Sequence, residues 1–292
     1  SAGKGEEIEV LPAWDEASEA DWVALKCQEL INSGVDSAGI AVLYRANFQS
    51  RILEEHMLAN GVPYTVLGTR FFERKEIKDT LAYIKAAYNR SSLADLVFEF
   101  PKRGIGPSTI AKIFAGDQDP KVLAKVASTY NTLDRFVGLL SENALSHAIS
   151  DLIVYSGIEK ELMDGGDDGL ERLENVRELV SLTIKYDMYD GAEALEKFLE
   201  EAGLHSDQDD DEDGKGGVRM MTVHASKGLE FEYVFIVGLE TDLFPHKDLG
   251  GKNKSIEEKE EERRLFYVAV TRARKKLYLT FAEMRTIFGQ RS

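Results

Sequence analysis

The 292-residue chain has one cysteine, Cys27, which excludes an intrachain disulfide framework and fits a reducing compartment. No apolar run approaches the roughly 18 to 20 residues that a membrane-spanning helix needs. Residues Ser1 to Glu9 are polar and partly acidic, unlike a secretory or transit segment, and Ser1 is not expected to be a natural start. The expected setting is cytoplasmic, with no membrane partner. The five histidines and the cysteine lack metal-ligand spacing, and no Ser/His/Asp or Cys/His set is suggested locally. Both absences argue against a metal centre in this chain and against covalent catalysis. The phosphate-binding loop G-x-x-x-x-G-K-[ST] is also missing, because Gly3-Lys4, Gly214-Lys215 and Gly251-Lys252 all lack the hydroxyl residue that should follow.

Positive charge is in short supply as well, with 36 Lys and Arg against 52 Asp and Glu and a net charge of −16. On its face this disfavours nucleic-acid binding. Much of the charge is local, however: six acids crowd Asp207 to Asp213 and five crowd Glu257 to Glu262. Basic segments remain at Lys102-Arg103, Arg263-Arg264 and Arg272 through Lys276, and a basic groove needs only a local excess. The run Asp207 to Asp213 lacks the spacing of an EF-hand loop and reads as a solvated linker.

What is present is a core-forming composition, 43% hydrophobic, in a length that suits two domains. Strands are expected at Glu7 to Leu11, Gly39 to Tyr44 and Tyr64 to Leu67. Helices are expected from about Asp15 to Ser33, from Ser50 to Asn60, and after Phe71-Phe72 to near Asn89, the last with Ile77, Leu81, Ile84 and Tyr88 at helical spacing. Strand signals then vanish from Ser91 to Gly203, where helix follows helix. They return at Val218 to Val223, Tyr233 to Leu239 and Lys276 to Phe281, with a helix at Glu257 to Thr271. Neither β-containing piece supplies a complete sheet with both faces covered. The expectation is therefore one α/β domain with a parallel sheet, interrupted by a mostly helical insertion: residues 1–90 and 218–292 as its two parts, 91–206 as the insertion, and 207–217 as an acidic linker.

Chemistry concentrates where strands end. Met221 to Phe231 runs from an apolar strand into a glycine-containing turn that exposes His224, Ser226, Lys227 and Glu230 together. Some forty residues later, Leu265 to Arg274 sets Arg272 at the end of an apolar helix, suited to a phosphate beside that turn. Together they suggest nucleotide handling. Arg272 has a bland alternative, as a cation favoured near a helix C-terminus, and that reading is preferred for Arg274, Lys275 and Lys276.

Six segments in order give the chain a family resemblance: Leu43-Tyr44-Arg45 with Gln49-Ser50-Arg51, Gly68 through Asp79, Arg103 to Gly106, Thr222 through Phe231, Phe244-Pro245-His246, and Glu261 through Ala273. This pattern resembles the C-terminal motor portion of UvrD/Rep/PcrA-type superfamily 1 DNA helicases, a second RecA-like domain carrying an inserted helical subdomain. The resemblance implies that Tyr44 stacks on adenine and that Arg45 and Arg272, as catalytic arginines, reach the γ-phosphate. Lys227 would lie by the phosphates, Gly228 would allow close backbone approach, and Glu230 would bond the ribose. Both guanidinium groups and the carboxylate are expected to converge at one rim of one sheet.

Thr222, His224, His246 and Phe288 would line the path of single-stranded DNA. The glycine- and proline-containing helix start at Lys102, Arg103, Gly104, Gly106 and Ser108 would receive duplex phosphates at the junction. For isolated histidines, and for the pair Ile287-Phe288, an ordinary structural role is the bland alternative. The resemblance further implies ATP with Mg2+, and an N-terminal RecA-like domain that bears the missing loop, the Mg2+-binding acids and the catalytic glutamate. On that basis this portion alone should not hydrolyse ATP. Partners would be single-stranded DNA, the duplex junction, that N-terminal domain and repair proteins, with 3′ to 5′ polarity. The insertion is shorter than is usual for the family. Two rivals stay open: the motor of a RecB/AddA-like helicase–nuclease, and a non-catalytic DNA- or protein-binding module.

Overall fold

The computed structural model describes residues 5–89, 112, 115–116, 119–207, 216–246, 255–288 and 290–291. The expected linker falls mostly outside them, as do Lys102, Arg103, Gly104, Gly106 and Ser108. The chain divides into two compact units, Ser1–Phe71 with Glu212–Ser292, and Phe72–Asp211.

The first unit is built on a sheet of six parallel strands: β1 (Glu9–Asp15), β2 (Ile40–Tyr44), β3 (Tyr64–Val66), β4 (Val218–Thr222), β5 (Phe231–Ile236) and β6 (Ala273–Met284), in the order β1-β6-β5-β2-β4-β3. Strands from both ends of the chain therefore alternate in one sheet. The mixed α/β architecture with an all-parallel sheet is the one expected for a RecA-like domain.

Both faces of the sheet are covered, which explains why β2 is an unbroken apolar run with all five residues buried. Alternation sends Ile40, Val42 and Tyr44 to one face, where they pack with Val23, Cys27, Leu53 and Met57 of α1 (Glu16–Asn32) and α2 (Ser50–Ala59). Ala41 and Leu43 go to the other, with Met221, Val234 and Ile236, beneath Leu265 and Ala269 of the helix Ile256–Val270. Asp15 caps α1 by accepting the Ser18 N–H at 2.8 Å. Helix Ile256–Val270 opens on a capping box, Ser255 Oγ accepting from Glu258 N–H at 3.2 Å and the Glu258 carboxylate from Ser255 N–H at 2.5 Å.

Strand β1 runs on past Leu11, where the sequence reading stopped. Pro12 looks like a strand breaker, but β1 is an edge strand, where a residue without an N–H leaves no inner ladder bond unmade. A two-residue hairpin, β7 (Thr286–Ile287) with β8 (Gln290–Arg291), had no sequence signal.

The second unit is helical as described: α3 (Lys75–Tyr88), α4 (Pro120–Glu142), α5 (Leu145–Tyr155), α6 (Ile158–Met163), α7 (Gly166–Thr183) and α8 (Gly191–Asp207). The helix Ile256–Val270 is α9. Leu133, Phe136, Ile149, Leu152, Val176, Leu179 and Phe198 are among the buried residues of the second unit. Asn175 of α7 ties into α3 from both sides, its Oδ1 accepting from Arg74 at 2.8 Å and its Nδ2 donating to Glu76 at 2.8 Å. Among the described residues no helix is long and apolar enough to cross a membrane.

Candidate functional site: two rims of one sheet

Parallel strands give a sheet two chemically different rims, and the candidate residues divide between them. At the carboxyl rim Tyr44 pairs with Thr222. Thr222 Oγ1 accepts the Ala225 N–H at 3.3 Å, and Ser226, fully buried, donates its hydroxyl to Val223 O at 2.7 Å. These bonds wind His224 to Lys227 into a compact turn that leaves His224 and Lys227 exposed. The eight residues between β4 and β5 then carry the chain back to the amino rim, where Phe231 pairs with Ala273. Gly228 adopts φ +89° within this crossing, and nothing lies within 4 Å of where a Cβ would stand. This left-handed backbone conformation favours glycine here.

Arg272 sits at the amino rim. Its guanidinium donates to Val268 O at 2.9 Å, Leu229 O at 2.8 Å and Thr271 Oγ1 at 3.0 Å, so three fixed oxygens set its direction. Glu230, the next residue, pairs with Arg274 at 2.7 Å, both side chains being about half exposed or more. Lys227, Glu230 and Arg272 thus belong to one turn and its neighbour.

Arg45 does not join them, which corrects the expected convergence. It follows the carboxyl end of β2, whereas Arg272 precedes β6. The register sets their levels roughly seven strand residues apart, about 23 Å. The reason is α9, which recrosses the sheet face from one rim to the other and so delivers its two ends to opposite rims. Arg45 instead grips Glu262 of α9, Nε lying 3.2 and 3.1 Å from the two carboxylate oxygens and Nη2 2.7 Å from one. Tyr44 requires a second correction. At 1% exposure its ring lies in the core beside Leu53 and Met57, with no face open to a base. Strand alternation decides this, since Tyr44 shares the inward face of Ile40 and Val42.

The carboxyl rim gathers the residues proposed for single-stranded DNA. The His246 N–H donates to Glu262 at 3.3 Å, which brings the Phe244-Pro245-His246 turn to the same carboxylate as Arg45. Phe288, at φ +52°, meets Phe48 edge to face with ring centres 5.1 Å apart, and Leu243 and Ala46 pack around them. His246 is buried at 8% and Phe288 partly buried.

Several organising residues carried no assigned role in the sequence. Gln49 accepts the N–H groups of Arg45 and Ala46 at 3.0 and 2.8 Å, fixing the turn after β2, while its Nε2 lies 2.4 Å from where a Cβ on Gly238 would be. Buried Arg285 donates to Glu240, on the loop after β5, and to Glu19 of α1. Glu19 also accepts from Gly238 N–H at 2.9 Å and Thr280 Oγ1 at 2.6 Å. Burial pushes the Glu240 carboxyl above its ordinary range, an effect that Arg285 opposes and Glu19 reinforces. Burial likewise pushes the Cys27 thiol up, so it is an inert core residue and no nucleophile. The Glu262 signal was hidden in an acidic run, although its three-residue spacing from Leu265 marks a buried helix face.

Residues 1–284 match the UvrD-like helicase C-terminal domain. The chain is 35% identical to DNA helicase II of Salmonella typhimurium, over 98% of its own length and 43% of that protein's. It is 35% identical to the ATP-dependent DNA helicase PcrA of Staphylococcus epidermidis, over 98% of the chain and 42% of the relative. Against PcrA of Bacillus subtilis the identity is 35%, over 94% and 41%. The chain thus spans about two-fifths of the length of the curated relatives it matches. With a six-stranded parallel sheet, a helical insertion and a match along nearly its whole length, this chain belongs to the UvrD-like helicase C-terminal domain family.

Proposed function

We propose that this chain is the C-terminal motor portion of an ATP-dependent DNA helicase that moves 3′ to 5′. It works against an N-terminal RecA-like domain bearing the phosphate-binding loop, the Mg2+-binding acids and the catalytic glutamate. The amino rim faces the nucleotide: Arg272 is the finger for the γ-phosphate and Glu230 accepts from the ribose, while Lys227, on the turn that leads there from the carboxyl rim, is assigned to the phosphates. The carboxyl rim carries the single strand on Thr222, His224, His246 and Phe288, with Arg45 among them. Lys102, Arg103, Gly104, Gly106 and Ser108 are assigned to duplex phosphate at the junction, where repair proteins would also meet the enzyme.

The observation that carries this reading is the Arg272 guanidinium held 2.8 Å from Leu229 O, one residue from Glu230. A fixed cation and a ribose acceptor then stand within one nucleotide's reach. This donor set suits ATP, because a planar fork matches phosphate oxygens and stabilises charge that builds up on them during transfer. The exposed Arg274–Glu230 pair is weakly held and yields to ribose hydroxyls. The two motor domains close on ATP and reopen after its terminal phosphoryl group is transferred to water.

Replacing Arg272 by alanine in the full-length helicase is expected to lower DNA-stimulated ATP turnover by about 10³-fold while single-strand affinity stays within about twofold. Unchanged turnover would remove Arg272 from the reaction and this reading with it.

A further inference from the structure

Glu262 occupies a position where a hydrophobic residue would be expected. Glu262, Leu265 and Ala269 are the buried residues of α9, spaced along one face of the helix. Four other acids, Glu257, Glu258, Glu260 and Glu261, already serve the dipole of its first turns, and all are exposed or partly so. Glu262 is 7% exposed, and its carboxylate accepts both from the Nε and Nη2 atoms of Arg45 and from the backbone N–H of His246. One carboxylate therefore holds three elements together: the turn after β2, the Phe244-Pro245-His246 turn, and α9. The same helix ends at Val270, just before Arg272, which follows Glu262 by ten residues and about 15 Å.

We propose that Glu262 is a positioning residue that couples the two rims, so that a shift of α9 as Arg272 engages a triphosphate is passed to the strand-binding turns. The proposal rests on the helicase reading above. A bidentate carboxylate–guanidinium contact suits this task because it resists both sliding and rotation, whereas a single hydrogen bond acts as a swivel. A leucine at this position would pack α9 on the sheet but would leave the Arg45 and His246 turns without a tether to it.

The test uses the full-length helicase with Glu262→Gln, Glu262→Asp and, as a control, Arg272→Ala. ATPase is read without DNA and with saturating oligo-dT, alongside unwinding of a tailed duplex and the melting temperature. Glu262→Gln is expected to lower the DNA-stimulated rate by about tenfold, with the DNA-free rate and the KM for ATP within about twofold of the parent. Glu262→Asp, which keeps the charge on a shorter arm, is expected to fall between the two. Undiminished DNA stimulation in Glu262→Gln overturns the proposal. So does an equal loss of DNA-free and stimulated rates, because that pattern belongs to a purely structural residue. Should Glu262→Gln melt too low to assay, Glu262→Asp decides alone by the same two criteria. If Arg272→Ala also turns over normally, the helicase reading is what fails. If Arg272→Ala is dead and Glu262→Gln is fully stimulated, the coupling alone is wrong.

Discussion

Tyr44 and Arg45 are adjacent in the chain and opposite in environment, one sealed in the core and the other at the rim with its guanidinium on Glu262. The pleat enforces this, since neighbouring strand residues point to opposite faces. Tyr44→Ala is therefore expected to cost about 3–5 kcal/mol of stability in denaturant unfolding, as for other large buried aromatics, and Tyr44→Leu, which keeps an apolar filling but removes the ring, to leave nucleotide affinity of the full-length protein unchanged. A large loss of nucleotide affinity in a folded Leu variant would restore the stacking role. Residue types were readable here while directions were not. The motif Leu43-Tyr44-Arg45 marked a candidate strand end, but which residue faces inward depends on the sheet's two-sided burial, and which carboxylate meets Arg45 depends on a helix more than two hundred residues away.

At the scale of elements, the sequence reading located each of the six strands and α9 to within a few residues, because parallel strands buried on both faces carry strong apolar signals. Direction across the sheet was harder. Seeing that α9 separates Arg45 from Arg272 requires knowing that both its ends meet β-strand rims, which only the strand order reveals. The Glu19–Arg285–Glu240 cluster was invisible for the same reason, its members coming from α1, the loop after β5 and the end of β6.

That cluster has a pH signature. Because burial raises the Glu240 pKa above its ordinary 4.5, the folded protein holds this proton to higher pH than the unfolded chain does. The associated stability is full below 4.5 and is lost as pH rises through the raised value. The melting temperature of the parent relative to Glu240→Gln should therefore decline over that window and level off above it. A parent that instead gains on the variant as pH rises would mean that Arg285 outweighs burial.

Across the whole molecule, the proposed function divides nucleotide chemistry between domains. The sequence contains Arg272, proposed above as a finger, but no G-x-x-x-x-G-K-[ST] loop, so residues 1–292 expressed alone are expected to release no phosphate from ATP above a protein-free blank, with or without oligo-dT. Measurable DNA-dependent hydrolysis by that polypeptide would require a second, unrecognised phosphate cradle. The family assignment rests on most of the chain, and it fixes the domain type more firmly than the duties of single residues, which belong to rims and faces.

The alternation of early and late strands in one sheet has a consequence for biosynthesis. β2 leaves the ribosome about 170 residues before β4, the neighbour that completes one of its edges, an interval of roughly 9 to 35 s at about 5–20 residues per second. Through that wait a strand of five apolar residues has both ladder edges open, shielded on one side only by α1 and α2. Yield in a heterologous host should then depend on how quickly translation clears the insertion, and a nascent-chain chaperone would act on the first seventy residues rather than on the last.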